Sequence, residues 1–299
     1  MPAAPSSPID PAIGRLLTAA RALDGGRAGL LQVLAAIPDP RARSRLAGPG
    51  GARRGVLAGV AGGTIGRVIT GDEVDTLLFD VLGTVVDEAG SMRAEVAMAL
   101  DQAGAGPEQA EELAAAWARR FAALAASIRQ GAPWQSADEL NARALADVLR
   151  DGPRLPEAAA RHLALAGHRL RPWPDAVAAL QRLARRFTTV ALSNGNLSML
   201  TSLFARAGLT WHGVLSGEMV HAYKPDPAVY RLALDRLALD PRRTLMVAAH
   251  PWDLRAAAAH GLRTACIQRA GEGEPEPSDR FDLTVPDLAA LAARLLAAA

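Results

Sequence analysis

From Val74 onward the chain repeats one unit: a short apolar run, one or more polar residues, then an amphipathic helical stretch. This repetition constrains the fold more than any other feature. A segment apolar at consecutive positions has to be covered on both faces, as strands of a parallel sheet are. Val74–Phe79 is such a run; Thr188–Leu192, Thr244–Ala249, Thr264–Ile267 and the weaker Leu283–Val285 follow it. Helical stretches at 175–186, 197–207, 227–238, 253–260 and 287–298 lie between or after them. Strands alternating with helices predict an α/β fold built on a doubly wound parallel sheet.

The alternation breaks between about 88 and 172, where the pattern is helical throughout. Leu113, Trp117, Phe121, Leu124 and Ile128 recur at spacings of three and four, which places them on one helical stripe that packs a core. An all-helical insertion after the first strand predicts a cap subdomain over the main sheet. The expected organisation is therefore an extension at 1–72, a catalytic core at 73–87 and 173–299, and a helical cap at 88–172. Within the extension, 11–37 holds two short helix-like stretches, and 47–72 is rich in glycine and arginine.

Half of the 299 residues are hydrophobic, enough for a sizeable core. The net charge of +2 is unevenly spread: residues 1–70 carry nine arginines against three aspartates, leaving 24 basic and 28 acidic residues downstream. No RNA- or DNA-binding motif accompanies the basic segment, so a nucleic-acid partner is not expected. Cys266 is the single cysteine, which excludes an internal disulfide and a multi-cysteine metal site; its apolar neighbours mark it as a buried small side chain. No run reaches the ~18 apolar residues that span a bilayer, and the secretory pattern of charged region, apolar core and cleavage site is missing. A cytoplasmic enzyme without membrane contact is the expectation.

Open parallel sheets bind ligands beyond the carboxyl ends of their strands, so the residues that follow each strand test for chemistry. The first strand ends in Asp80-Val-Leu-Gly-Thr84, the next in Ser193-Asn194-Gly195, and another in His250-Pro-Trp252-Asp253. A further loop holds Tyr223-Lys224-Pro-Asp-Pro227 and then Tyr230. Alone, each is ordinary: Asp80 as a turn residue, Ser193-Asn194 as an Asn-Gly turn, Lys224 as a solvated loop lysine, Asp253 as a helix cap. Together and in this order, over residues 74 to about 290, they resemble the haloacid dehalogenase superfamily. Phe-Asp-x-x-Gly-Thr, Leu-Ser-Asn-Gly, Tyr-Lys-Pro-Asp-Pro-x-x-Tyr and Trp-Asp resemble its L-2-haloacid dehalogenase branch in particular.

The resemblance implies that the Asp80 carboxylate is a covalent nucleophile, dividing a displacement into two easier steps through an ester. It implies that Lys224 balances charge, that Ser193 and Asn194 orient the nucleophile and bind halide or carboxylate, and that Asp253 orients or activates water. Thr84 either holds an Asp80 oxygen or caps the following segment; Gly83 lets the backbone bend. His250 stands where the branch more often has Ser-Asn. It either positions water or halide, takes the water's proton near its ordinary pKa of about 6.5, or only packs. Trp252 is a pocket wall or core residue, and Tyr230 closes the pocket or packs the core.

Two departures carry information. Phosphatases of the superfamily place a second aspartate where this chain has Leu82, and a Gly-Asp pair where it has Ala248-Ala249. Magnesium needs hard oxygen ligands in near-octahedral geometry, so the expectation is no metal and no organic cofactor, with Leu82 facing substrate. A halide leaves without a proton, so the missing acid is not needed for a carbon–halogen bond. The branch also carries an arginine directly after a cap tryptophan, where this chain has Ala118 followed by Arg119 and Arg120. At 100° per residue Arg120 lies about 60° from the stripe centre and Arg119 about 160° away, so helical phase favours Arg120; surface arginine is the alternative for both. The expected reaction is hydrolysis of a short 2-haloalkanoic acid to a 2-hydroxy acid by a protein that is itself a homodimer. Opening of a strained ring or another small alkylating carboxylate, and an idle relative that binds a small acid or a protein, are the alternatives.

Overall fold

The structure, a computed structural model, describes residues 69–106 and 109–297. The helix-like stretches at 11–37, and 47–72 up to residue 68, lie outside the described residues. The sheet has six parallel strands: β1 (Thr76–Phe79), β4 (Thr188–Ser193), β5 (Gly213–Ser216), β6 (Thr244–Ala248), β7 (Arg263–Ile267) and β8 (Leu283–Val285). Their order across the sheet is β5-β4-β1-β6-β7-β8. β1 is central, which explains why all its residues are apolar or buried: Thr76 pairs with both Thr188 and Thr244, and Phe79 with both Ala191 and Val247. Each strand alternates its side chains between two cores. Leu77, Phe79, Ala191, Val247 and Ile267 join α5 (Ala176–Leu183), α6 (Leu197–Ala207) and α9 (Leu288–Leu296). Leu78, Val190, Met246 and Cys266 face α7 (Pro227–Arg236) and α8 (Pro251–Ala259) on the other side. α7 and α8 both start with proline at the first helical position, where no N–H is wanted.

The predicted strands and helices are present with ends moved by a few residues. β5 was not expected: it opens with Gly213, lies at the sheet edge, and buries only Leu215 and Ser216, so its sequence lacks a continuous apolar run. Among the described residues, Ile69 is the first whose side chain joins the core, and Gly71 packs against the Leu295 carbonyl.

A two-residue antiparallel pair, β2 (Val86–Asp87) and β3 (Arg171–Pro172), forms the passage into and out of the cap. Between them lie α1 (Glu88–Gln102), α2 (Ala110–Arg129), α3 (Ala137–Leu149) and α4 (Glu157–Ala164). Of the predicted α2 stripe, Leu113, Trp117 and Leu124 are buried while Phe121 and Ile128 are partly buried against them. Ser136 and Glu139 form a capping box that starts α3. The cap docks on the core through Tyr223, which is buried in the cap's own cluster, stacks on Trp134 at 4.8 Å and donates to the Gln135 carbonyl at 2.9 Å. Asp138 adds a polar clasp, accepting from Asn196 Nδ2 at 2.8 Å and meeting His168 Nε2 at 3.0 Å. Among the described residues no helix is long and apolar enough to cross a membrane.

Candidate active site

The chain leaves β1 toward β4 and β5 on one side and later returns to β6 on the other, so the strand order reverses at β1. The crevice at such a reversal is where a doubly wound sheet binds ligands, and Asp80 stands there. Its backbone N–H still donates to the Val247 carbonyl at 2.9 Å, so the sheet fixes where its side chain begins.

Asp80 is 5 % exposed. One carboxylate oxygen accepts from Thr84 Oγ1 at 2.7 Å and the other from Lys224 Nζ at 3.1 Å. The Thr84 hydroxyl donates to Asp80 and accepts from the Ala249 N–H at 2.8 Å, tying Asp80 to the end of β6. Gly83 makes the turn at φ 77°, and a Cβ on it would lie 2.7 Å from the Glu272 carboxylate.

Lys224 is not a solvated lysine. Its ammonium is fully buried and bridges Asp80 to Asp253, reaching Asp253 Oδ2 at 2.7 Å. Burial lowers the pKa of such an amine, but the charges of Asp253 and Asp80 outweigh that and hold it above its ordinary value. Asp253 is itself fully buried, and burial pushes its carboxyl up against the opposing pull of Lys224. Its second oxygen accepts from Tyr230 OH at 2.5 Å. Tyr230 packs fully buried in the core and also donates to Asp253, and burial with the Asp253 charge raises its phenol pKa. Asp253 does not cap α8, which begins at Pro251 with His250 in the cap position.

Ser193 is buried and accepts from the Gly195 N–H at 3.1 Å, while Gly195 is held from behind by Ser216 Oγ at 2.7 Å. Asn194 Oδ1 accepts from the Lys224 backbone N–H at 2.7 Å, which locks the lysine loop to the end of β4.

Leu82 is partly buried against the apolar core, and its carbonyl receives His250 Nε2 at 3.0 Å. Both ring nitrogens of His250 face oxygens. Nε2 lies 3.6 Å from Asp80 Oδ2, and Nδ1 lies 3.6 Å from Glu272 Oε2 and 3.4 Å from the Glu272 carbonyl. Burial lowers the His250 pKa, but Asp80 and Glu272 overcome it and hold it above its ordinary value. Glu88, at the start of α1, has its carboxyl raised to about 7, first by burial and then by Glu272 and Asp80. Trp252 is 40 % exposed and stacks on His250 at 5.3 Å, so it is not a core residue.

The cap arginines do not join this cluster. Arg120 Nε donates to Asp147 of α3 at 2.7 Å, beside Val148 and Arg150, so its guanidinium is spent within the cap. Arg119 is exposed. Helical phase placed Arg120 nearer the stripe but could not say that an aspartate on the next helix would take it.

Sequence reasoning missed Trp173, Arg269 and Glu272. Arg269 and Glu272 follow β7, so reading beyond that strand as beyond the others would have found them. A divalent ion does not fit the donors present. Leu82, Ala248 and Ala249 offer no side-chain oxygen, and the Lys224 ammonium already bridges the two carboxylates. Among the described residues no group of three or more His, Cys, Asp or Glu side chains could hold a metal.

The family profile described as haloacid dehalogenase-like hydrolase matches residues 74–261. (S)-2-haloacid dehalogenase 1 of Pseudomonas sp. (strain CBS-3) is 34 % identical over 204 residues, 66 % of this chain and 86 % of that protein. (S)-2-haloacid dehalogenase 4A of Burkholderia cepacia is 32 % identical over 208 residues, 67 % of this chain and 85 % of that protein. The crystal structure of the defluorinating L-2-haloacid dehalogenase Rha0230 superposes with a TM-score of 0.70 at 34 % identity, covering 75 % of this chain and 96 % of that one.

Proposed function

The chain belongs to the haloacid dehalogenase-like hydrolases, and from that premise we propose that it hydrolyses short 2-haloalkanoic acids to 2-hydroxy acids without a metal. One observation carries the reading: a buried lysine bridges Asp80 and Asp253 at a strand reversal where no second acid stands two residues after Asp80.

In the first step an Asp80 oxygen attacks C2 in line with the carbon–halogen bond. The carbon–oxygen bond forms, the halide leaves with the electron pair, and C2 inverts. Thr84 and Lys224 each hold one Asp80 oxygen, which limits the carboxylate to one approach. Ser193 and Asn194 line the β4 side, with the Asn194 amide as donor to an anion. With Arg120 committed to Asp147, the groups left to meet the substrate carboxylate or halide are the Asn194 amide and His250, whose pKa Asp80 and Glu272 hold above its ordinary value. In the second step Asp253, oriented by Tyr230 and Lys224, directs water at the ester carbonyl. That breaks the acyl carbon–oxygen bond and returns Asp80 as carboxylate with one proton released.

The enzyme's partner is a small molecule. We expect it in the cytoplasm, where its single buried thiol needs no oxidising surroundings. We expect a homodimer, with Met98, 48 % exposed beside a groove of mixed polar and apolar lining between α1 and α4, as its candidate face, and light scattering tests it. The functional test is halide release from chloro-, bromo- and fluoroacetate with and without chelator. Release that resists chelator and disappears in Asp80→Asn is expected. Chelator-sensitive phosphate release from phosphate esters would overturn the reading, and no turnover of either class would leave an idle binder.

A further inference from the structure

The turn that carries the nucleophile presents three consecutive carbonyls, and a side-chain donor from a different part of the chain meets each. His250 Nε2, after β6, meets Leu82 O at 3.0 Å. Trp173 Nε1, immediately after β3, donates to Gly83 O at 2.9 Å. Arg269 Nε, after β7, donates to Thr84 O at 3.1 Å. The preceding carbonyl, Val81 O, accepts from the backbone of Val85 at 2.9 Å and Val86 at 3.1 Å.

Trp173 and Arg269 are also bound to each other. The guanidinium lies 4.9 Å from the indole centroid and gives one N–H from each terminal nitrogen to Asp175, at 2.9 Å to each oxygen. Arg269 is 6 % exposed at its side chain, and Asp175 further accepts from the Leu288 N–H at 2.7 Å. The Trp173 backbone N–H donates to Val85 O at 3.0 Å. A buried arginine is costly unless its charge is paired; Asp175 pairs this one, and its Nε–H is left directed at the turn.

We propose that Trp173 and Arg269 are positioning residues for the displacement: by holding the Gly83 and Thr84 carbonyls they fix the turn from which Asp80 and Thr84 project. Neither touches the reacting atoms. Their effect passes through the backbone, because Thr84 gives its carbonyl to Arg269 and its hydroxyl to Asp80. Trp173 stands where the chain re-enters the core from the cap, so the same bond ties the cap's return strand to the nucleophile. In-line attack tolerates little displacement; a shift of about 1 Å costs on the order of a hundredfold in rate.

This inference rests on Asp80 being the nucleophile. Trp173→Phe removes the indole donor and keeps an aromatic face under Arg269; Arg269→Lys keeps a charge and one donor. With chloroacetate, both should lower kcat per folded molecule by about tenfold or more, with KM held within about twofold. Arg269→Met should fall further than Arg269→Lys. Amide hydrogen exchange across 82–86 should quicken in both. Leu180→Ala, in the same core, lowers thermal stability and should leave kcat per folded molecule unchanged. Unchanged kcat in folded Trp173→Phe and Arg269→Lys would overturn the inference, as would kcat losses that only follow stability across all variants. If wild type releases no halide, the reading of function fails, and exchange still decides whether these donors hold the turn.

Discussion

The core and the cap present their polar residues by different physics. In the core, parallel pairing sets neighbouring strands in register, so Phe79 lies level with Ala191 and Val247, and whatever follows them meets at one crevice. Asp80, Thr84, Lys224, Asp253 and His250 come together there although they are as much as 173 positions apart. In the cap, helical phase fixes only which face a residue occupies. Arg120 shares that face's edge and still turns to Asp147. Strand ends convert sequence into a site directly; a helix face does so only once its neighbouring helices are known.

The sharpest way to test the core side of this contrast is Lys224→Met. It leaves two buried carboxylates facing each other without their cation, and removing one partner of a buried pair costs about 3–5 kcal/mol. Chemical denaturation should show that loss, and halide release should vanish with it. Stability within about 1 kcal/mol of wild type would mean that the bridge is not what holds the two strand ends together. Thr84→Val comes next. It removes the donor to Asp80 and the acceptor for Ala249 N–H, so kcat should drop by about ten- to a hundredfold, on the scale of a misplaced reacting group.

His250 gives a pH signature. Its folded pKa is raised above the unfolded value of about 6.5. The stability it contributes is therefore full below about 6.5 and is lost as pH rises through the higher folded value. If the imidazolium receives the substrate's charge, kcat/KM for chloroacetate should fall over the same rise, and His250→Asn should flatten that limb. An activity that climbs with pH through this range would favour the neutral-base reading. The smallest effects belong to the cap. Arg120→Ala breaks a partly exposed pair with Asp147 and should cost less than about 1 kcal/mol. Arg119→Ala and Arg120→Ala should each leave KM within about twofold. A large rise in KM for Arg120→Ala would erase the distinction between core and cap.

The strand pattern made the parallel sheet legible, and the pattern between 88 and 172 its helices; that β1 is central depends on the strand order, which the pattern does not carry. β5 escaped because an edge strand beginning at Gly213 needs no apolar run. At the site, residue type and place left Asp80, Lys224 and Asp253 ordinary one by one; the resemblance singled them out, but not what each would bond. That Tyr230 serves Asp253, and that His250 faces only oxygens, depends on side chains brought in by other strands. Trp173 was less legible still, because its indole reaches the nucleophile's turn from the end of a two-residue strand with no periodicity to read.

A single turnover in water labelled with heavy oxygen tests the ester at Asp80 most directly. With enzyme in excess over chloroacetate, the account predicts that the label enters the Asp80 peptide while the product hydroxyl carries ordinary oxygen from the enzyme. Label appearing in the product hydroxyl on the first turnover, with the Asp80 peptide unlabelled, would mean that water displaces the halide itself and that no bond to Asp80 forms.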